Sequence, residues 1–101
     1  MLLLNFSFKH FSEEEKDELK NYLDKKTQRI ERLLDKERLN QYRLEVKAER
    51  FATKSAYKIN FILHVPQGKI LAREDDHTIR EAVDLALDKL TSRLKKSFDK
   101  I

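Results

Sequence analysis

The spacing of apolar residues alternates between two periods along the chain, and the order of these periods limits the fold more than any other feature. Apolar residues recur at every second position in three segments, as in strands with one buried face, and at helical spacing in two; a fourth, short strand follows the turn at 66–68. The strand segments are 2–8, 42–48, 57–65 and 69–73, and the helical segments are 12–34 and 79–101. The predicted order is βαβββα, an α+β fold.

This order predicts a four-stranded sheet with two roughly parallel helices on one face, because clean alternation leaves the other face wet. The first βαβ step predicts that strands one and two are parallel, joined by a right-handed crossover. The arrangement resembles a double-stranded-RNA-binding domain with an added first strand.

Capping and turn residues mark the ends of these elements. Ser12 predicts the start of the first helix, with Glu15 three residues on as in a capping box. Lys26 and Thr27 interrupt the apolar stripe of this helix. The segment Pro66–Gly68 predicts a turn. Asp75, Asp76 or Thr78 can each cap the last helix.

Composition restricts the class of protein. The 101 residues, 40% of them hydrophobic, predict a single domain over residues 1–101. The absence of cysteine excludes disulfides and cysteine-ligated zinc, and favours a cytoplasmic protein. A single glycine excludes glycine-rich phosphate loops. No apolar run reaches the roughly 18 residues of a membrane helix.

Catalytic and metal-ligating patterns are not found. His10, His64 and His77 show no metal-ligand spacing, and the serines stand in no nucleophile motif. The acidic run Glu74–Asp76 is read as a loop followed by a helix start. We therefore expect no enzyme activity, cofactor, metal or small-molecule substrate.

Charge is distributed unevenly along the chain and around the last helix. Residues 1–24 carry three lysines against six acidic side chains, and the remainder carries nineteen lysines and arginines against twelve acids. At 100° per residue, the cations of the last helix share one narrow face, and its carboxylates lie on the opposite flank. The cations are Lys89, Arg93, Lys96 and Lys100; the flank holds Asp84, Asp88 and Asp99, joined by Lys95.

The first helix repeats this arrangement and completes a candidate phosphate-binding surface. Lys25, Arg29, Arg32 and Lys36 share one face if the helix persists that far. Two basic rows on adjacent helices fit a polyanion. The alternatives are a solvated surface, cations that complement the helix dipole, and a helix that lies on a membrane surface. The membrane alternative is disfavoured because the apolar stripes of both helices are needed to cover the sheet.

The second half of the chain resembles the ribosome hibernation promoting factor family, which includes protein Y and the sigma-54 modulation proteins. The resemblance lies in the return strand 68–74, in Ala82-Val83-Asp84, in Asp88-Lys89-Leu90 and in Leu94-Lys95-Lys96. The first sixty residues match in pattern only. The family shares the βαβββα order.

The resemblance implies a ribosome-bound regulator of translation. Family members bind the small subunit between head and body, contact 16S rRNA where mRNA and tRNAs lie, inhibit translation and protect idle ribosomes under stress. On the family motif, Lys89, Lys95 and Lys96 carry over as rRNA contacts, and Lys100 lies in the basic tail. Lys25, Arg29 and Arg32 align loosely. We expect the short form of the family and a monomer, without the C-terminal domain that dimerises ribosomes.

Two points stay open from the sequence. The family often has Arg at the position of Ser92 and Gln at that of Arg93, so its motif favours Lys95 as a contact where helix geometry favours Arg93. The other candidate functions are a free-standing module for double-stranded or structured RNA with a non-ribosomal target, and an adaptor whose sheet edge or helix face binds protein.

Overall fold

The computed structural model describes residues 2–36, 42–66 and 68–99, and for Lys36, Phe98 and Asp99 only the backbone. It confirms the α+β fold and the βαβββα order, with the first helical segment divided in two. The elements are β1 (Leu2–Lys9), α1 (Glu13–Lys26), α2 (Gln28–Lys36), β2 (Tyr42–Arg50), β3 (Tyr57–Val65), β4 (Gly68–Asp76) and α3 (Ile79–Asp99).

The four strands form one sheet in the order β1-β2-β3-β4. β1 and β2 are parallel as predicted, and the two following pairs are antiparallel. The alternating pattern sends one set of side chains inward, where Val46, Phe61 and Ala72 lie almost fully buried on neighbouring strands. The helices cover this inner face, with Leu23, Ile30 and Leu90 contributing to the same core.

Side-chain contacts between the helices show that they run in the same direction. Glu18 pairs with Arg80, Tyr22 with Asp84, and Arg29 with Asp88. Because both partners advance together along the chain, α1 and α2 lie beside α3 and parallel to it.

The predicted single helix over 12–34 is wrong in one respect, because it breaks at Thr27. Thr27 takes the buried position between Leu23 and Ile30 that an apolar residue would fill in a continuous stripe. Its hydroxyl turns to the backbone and donates to the carbonyl of Asp24 at 3.4 Å. A bond of this kind to the preceding turn perturbs a helix, and α1 ends at Thr27, whereas α3 continues through Thr91, which makes similar bonds.

The last strand is longer than predicted, which changes the role of its acidic end. β4 continues beyond Arg73 because Asp75 and Asp76 pair with Lys58 and Tyr57 of β3. The acidic run is therefore strand, and not a loop with a helix start. Of the three candidate caps, Thr78 begins α3, its hydroxyl accepting from the backbone N–H of Glu81 at 3.1 Å.

The predicted capping box at the start of α1 is present, and it extends into the sheet. The Ser12 hydroxyl accepts from the N–H of Glu15 at 3.2 Å, and the Glu15 carboxylate accepts from the N–H of Ser12 at 2.8 Å. The other carboxylate oxygen accepts from the hydroxyl of Tyr57 and lies 3.9 Å from Arg50. Burial alone would raise the pKa of Glu15, but these donors together hold that pKa below its usual value.

Replacing Glu15 with alanine is expected to lower the free energy of unfolding by about 1–2 kcal/mol at pH 7, since half of the capping box and a partly buried hydrogen bond to Tyr57 are lost. Because the pKa of Glu15 is depressed in the folded state, its contribution is present above the unfolded-state pKa and is lost as the pH falls through the folded-state value. The difference between wild type and variant in urea unfolding should therefore shrink in acid. Glu15→Gln is the matched control, because an amide can complete the capping box without a charge. A difference unchanged between neutral and acidic pH would contradict the role of the carboxylate.

Candidate nucleic-acid interface

The basic stripe of α3 lies along the outer edge of β4. The ammonium group of Lys89 lies 3.4 Å from the carbonyl oxygen of Arg73 and forms an ion pair with Glu74. The guanidinium of Arg93 donates to the carbonyl oxygen of Leu71, which lies two residues before Arg73 on β4. Lys96 follows in the last turn and is exposed. Lys100 lies outside the described residues.

These contacts give Lys89 and Arg93 a structural role as well as an electrostatic one. An edge strand presents unpaired carbonyls that can template association with another chain, and charged side chains over the edge prevent this. The side chain of Lys89 nevertheless remains 38% exposed, and Arg93 is exposed. A guanidinium carries five N–H donors, so a single carbonyl acceptor leaves most of them available to a phosphate.

The acidic flank of α3 faces α1 and α2. Both carboxylate oxygens of Asp84 lie 2.8 Å from the hydroxyl of Tyr22. Burial, and then this carboxylate, raise the pKa of Tyr22. Asp88 forms an ion pair with Arg29 at 3.0 Å. The acidic half of the charge segregation is thus explained by partners within the fold.

The candidate residues of the first helical segment are divided by the break at Thr27. Lys25 lies near the end of α1, and Arg29 and Arg32 lie on α2. All three are exposed, but Arg29 is tied to Asp88, whereas Lys25 and Arg32 form no ion pair with another described residue. Carboxylates of α3, Asp84 and Asp88, therefore lie between the row of Lys89 and Arg93 and the cations of α1 and α2.

Lys95 occupies the flank that helix geometry assigned to it. It follows Asp88 by seven residues, about two helical turns, and therefore projects on the side of α1 and α2. It is exposed and forms no ion pair with another described residue. Its ammonium group is free of the contacts that hold Lys89 and Arg93 against β4.

A shallow groove of about 210 Å³ separates α1 and α2 from α3. Lys26, Arg29, Asp84, Asp88 and Thr91 supply its polar lining, so charges of both signs meet there. Such a lining suits ion pairing between the helices.

The three histidines lie apart in the structure. His64 is on the outer face of β3, 3.4 Å from a carboxylate oxygen of Glu45, and His77 lies 3.4 Å from the carbonyl oxygen of Ser55. His10 lies after β1 with a positive φ of 62°. Within 2–36, 42–66 and 68–99, no three His, Asp or Glu side chains gather as metal ligands would. In the same ranges, no helix has the length and apolar character needed to cross a membrane.

The uncovered face of the sheet carries exposed cations that were not among the predicted site residues, including Lys47, Lys69 and Arg73. Lys47 is on β2, and Lys69 and Arg73 are on β4, next to the carbonyls that Lys89 and Arg93 contact. The signal that could have identified them is the recurrence of cations at the outward positions of alternating strands.

Comparisons with known proteins agree on one family and one fold. A family model described as sigma 54 modulation protein / S30EA ribosomal protein matches residues 4–101. Among solved structures, a ribosomal subunit interface protein from Coxiella burnetii aligns with a TM-score of 0.62 at 14% identity, covering 98% of this chain and 99% of that one. At this identity the structural match bears on the fold alone. No curated protein matches the sequence significantly.

Proposed function

Because the chain belongs to the sigma 54 modulation protein / S30EA ribosomal protein family, we propose that it binds the small ribosomal subunit between head and body. In this position it contacts 16S rRNA in the channel of mRNA and tRNAs, inhibits translation and stabilises idle ribosomes in the cytoplasm under stress. The family match over residues 4–101 is the observation that carries the proposal.

The exposed cations of α3 support an rRNA contact. Phosphate groups attract lysine and arginine without regard to base sequence, and the gain comes from release of counterions. Lys95 and Lys96 meet a phosphate without losing an internal partner, since neither forms an ion pair with another described residue. Arg93 is held by the carbonyl of Leu71, so its guanidinium loses less conformational freedom on binding than a free side chain would.

The remaining candidate contacts form a second, separate group. Lys25 and Arg32 are exposed and unpaired among the described residues, whereas Arg29 must share its guanidinium between Asp88 and a phosphate. Because Arg29 and Asp88 are 60% and 65% exposed, that ion pair is weak and yields easily to a polyanion. We place Lys100 with the α3 group, on the helical spacing of the sequence.

Sedimentation through a sucrose gradient tests the proposal directly. Purified protein mixed with separated ribosomal subunits is expected to migrate with the small subunit and not with the large one. Protein that stays at the top of the gradient with both subunits would contradict the proposal. Recovery from a lysate in a light, ribonuclease-sensitive complex would instead support the alternative, an RNA-binding module with a non-ribosomal target.

A further inference from the structure

The face of the sheet that the helices leave uncovered carries a cross-strand row of uncharged and basic side chains. Strand register places Ser7, Lys47, Asn60 and Arg73 side by side across all four strands. All four are at least partly exposed, and no carboxylate interrupts the row. With strands about 4.8 Å apart, Lys47 and Arg73 lie about 10 Å from each other on the same face.

The carboxylates of this face lie next to other basic side chains and leave Lys47, Lys69 and Arg73 without an ion pair among the described residues. Glu45 lies 3.7 Å from Arg43 and also faces His64, and Glu49 lies 3.7 Å from Lys58. Asp75, the remaining carboxylate of the face, stands opposite Lys58 in the register. By contrast, Lys47, Lys69 and Arg73 form no ion pair with another described residue.

The cations of β4 adjoin those of α3 around the edge of the sheet. Lys89 contacts the carbonyl of Arg73, and Arg93 contacts the carbonyl of Leu71, so both helix cations reach the backbone of the strand that carries Lys69 and Arg73. The helix and strand cations together form one set, which consists of Lys47, Lys69, Arg73, Lys89 and Arg93. Glu74, already paired with Lys89, is the carboxylate that borders it.

We propose that the RNA-binding surface continues from α3 around the edge of β4 onto the uncovered face of the sheet, with the phosphate backbone of RNA as its occupant. The inference rests on the proposed function and adds to it the cations of β2 and β4, which are not part of the basic rows on the helices. Charge complementarity identifies the occupant, because exposed cations without ion-pair partners among the described residues form a positive patch that attracts a polyanion. In this arrangement α3 and β4 contact RNA together, and the row of α1 and α2 lies on the far side of the acidic flank.

The double variant Lys47→Ala/Arg73→Ala tests the inference through its affinity for purified small subunits at several salt concentrations. We expect a loss of at least about tenfold in affinity and a salt slope shallower by about two, because each phosphate contact contributes about one to that slope. The matched control is Lys20→Ala/Lys54→Ala, which removes the same charge from exposed positions on α1 and on the connection between β2 and β3. Urea unfolding of both variants verifies that they remain folded.

Three outcomes separate the possibilities. If the double variant matches the control in affinity and slope while wild type binds, the inference fails and the proposed function stands. If wild type itself does not bind small subunits, the proposed function fails and this inference fails with it. Leu71, which is 51% exposed between Lys69 and Arg73, is the residue through which a protein partner would make apolar contact. Loss of binding in Leu71→Ser without loss in Lys47→Ala/Arg73→Ala would show apolar contact with protein and overturn the assignment to RNA.

Discussion

Replacing Lys89, Arg93 and Lys96 together with alanine is expected to weaken binding to the small subunit by at least about a hundredfold, since up to three phosphate contacts are lost. The Lys96 substitution should change the free energy of unfolding by no more than about 0.5 kcal/mol, as for other exposed positions, and loss of the β4 contacts of Lys89 and Arg93 should cost about 1 kcal/mol or less each. The carbonyls of Leu71 and Arg73, which lose their side-chain partners, lie at the edge of the sheet and can bond to water instead. Subunit affinity and urea unfolding measured on the same preparations test both statements.

Single alanine variants of α3 then show which of two side chains, Arg93 or Lys95, contributes more to affinity for the small subunit. The structure holds Arg93 at the β4 edge and leaves Lys95 on the flank of Asp88, so geometry predicts a larger loss for Arg93→Ala than for Lys95→Ala. The family motif predicts the reverse order. A triple variant that binds like wild type while folded would exclude the face of α3 that carries Lys89, Arg93 and Lys96 from the interface.

The sheet could be predicted because its pattern is local and repetitive. Alternation along β2 and β3 fixes which residues point inward, and a shift of one residue would expose Val46 and Phe61. The break at Thr27 was visible as a weak point of the stripe, but whether a buried threonine is accommodated or ends the helix depends on the surrounding core. The extension of β4 through Asp76 was not predictable from its own acidic residues, since β3 supplies the pairing.

The sequence predicts which residues of the candidate site share a face of each helix, but not how the two helices are placed relative to each other and to the sheet. Helical spacing places Lys89, Arg93 and Lys96 on one flank of α3, but it contains no information about which neighbour that flank meets. Whether α1 or β4 lies beside it depends on how the helix is rotated over the sheet. The contacts of Asp84 and Asp88 with Tyr22 and Arg29 settle that rotation. They also explain why the predicted rows of the two helices are separated.

The two flanks of α3 differ in how well the fold itself accounts for them. The carboxylates of Asp84 and Asp88 have partners on α1 and α2, so selection for packing is sufficient to explain them. Edge protection accounts for Lys89 and Arg93, since both contact β4 carbonyls. It does not account for Lys96, Lys69 or Arg73, whose side chains have no ion pair among the described residues. These cations are the part of the charge pattern that contacts within the described residues leave without a partner.

Binding to the small subunit is expected to depend strongly on salt, and this dependence reports how many phosphates are contacted. For roughly four to eight contacts, affinity should fall by about a hundredfold to ten-thousandfold when monovalent salt rises fourfold. The ion pairs within the protein cannot produce such a change, because exposed pairs such as Arg29–Asp88 contribute only about 0–1 kcal/mol each. Affinities measured at four or more salt concentrations give the slope. The α3 triple variant measured over the same range should show a slope shallower by about three. A slope near zero for wild type would contradict phosphate binding by every basic surface of the molecule, because direct contact between lysine or arginine and phosphate always displaces counterions.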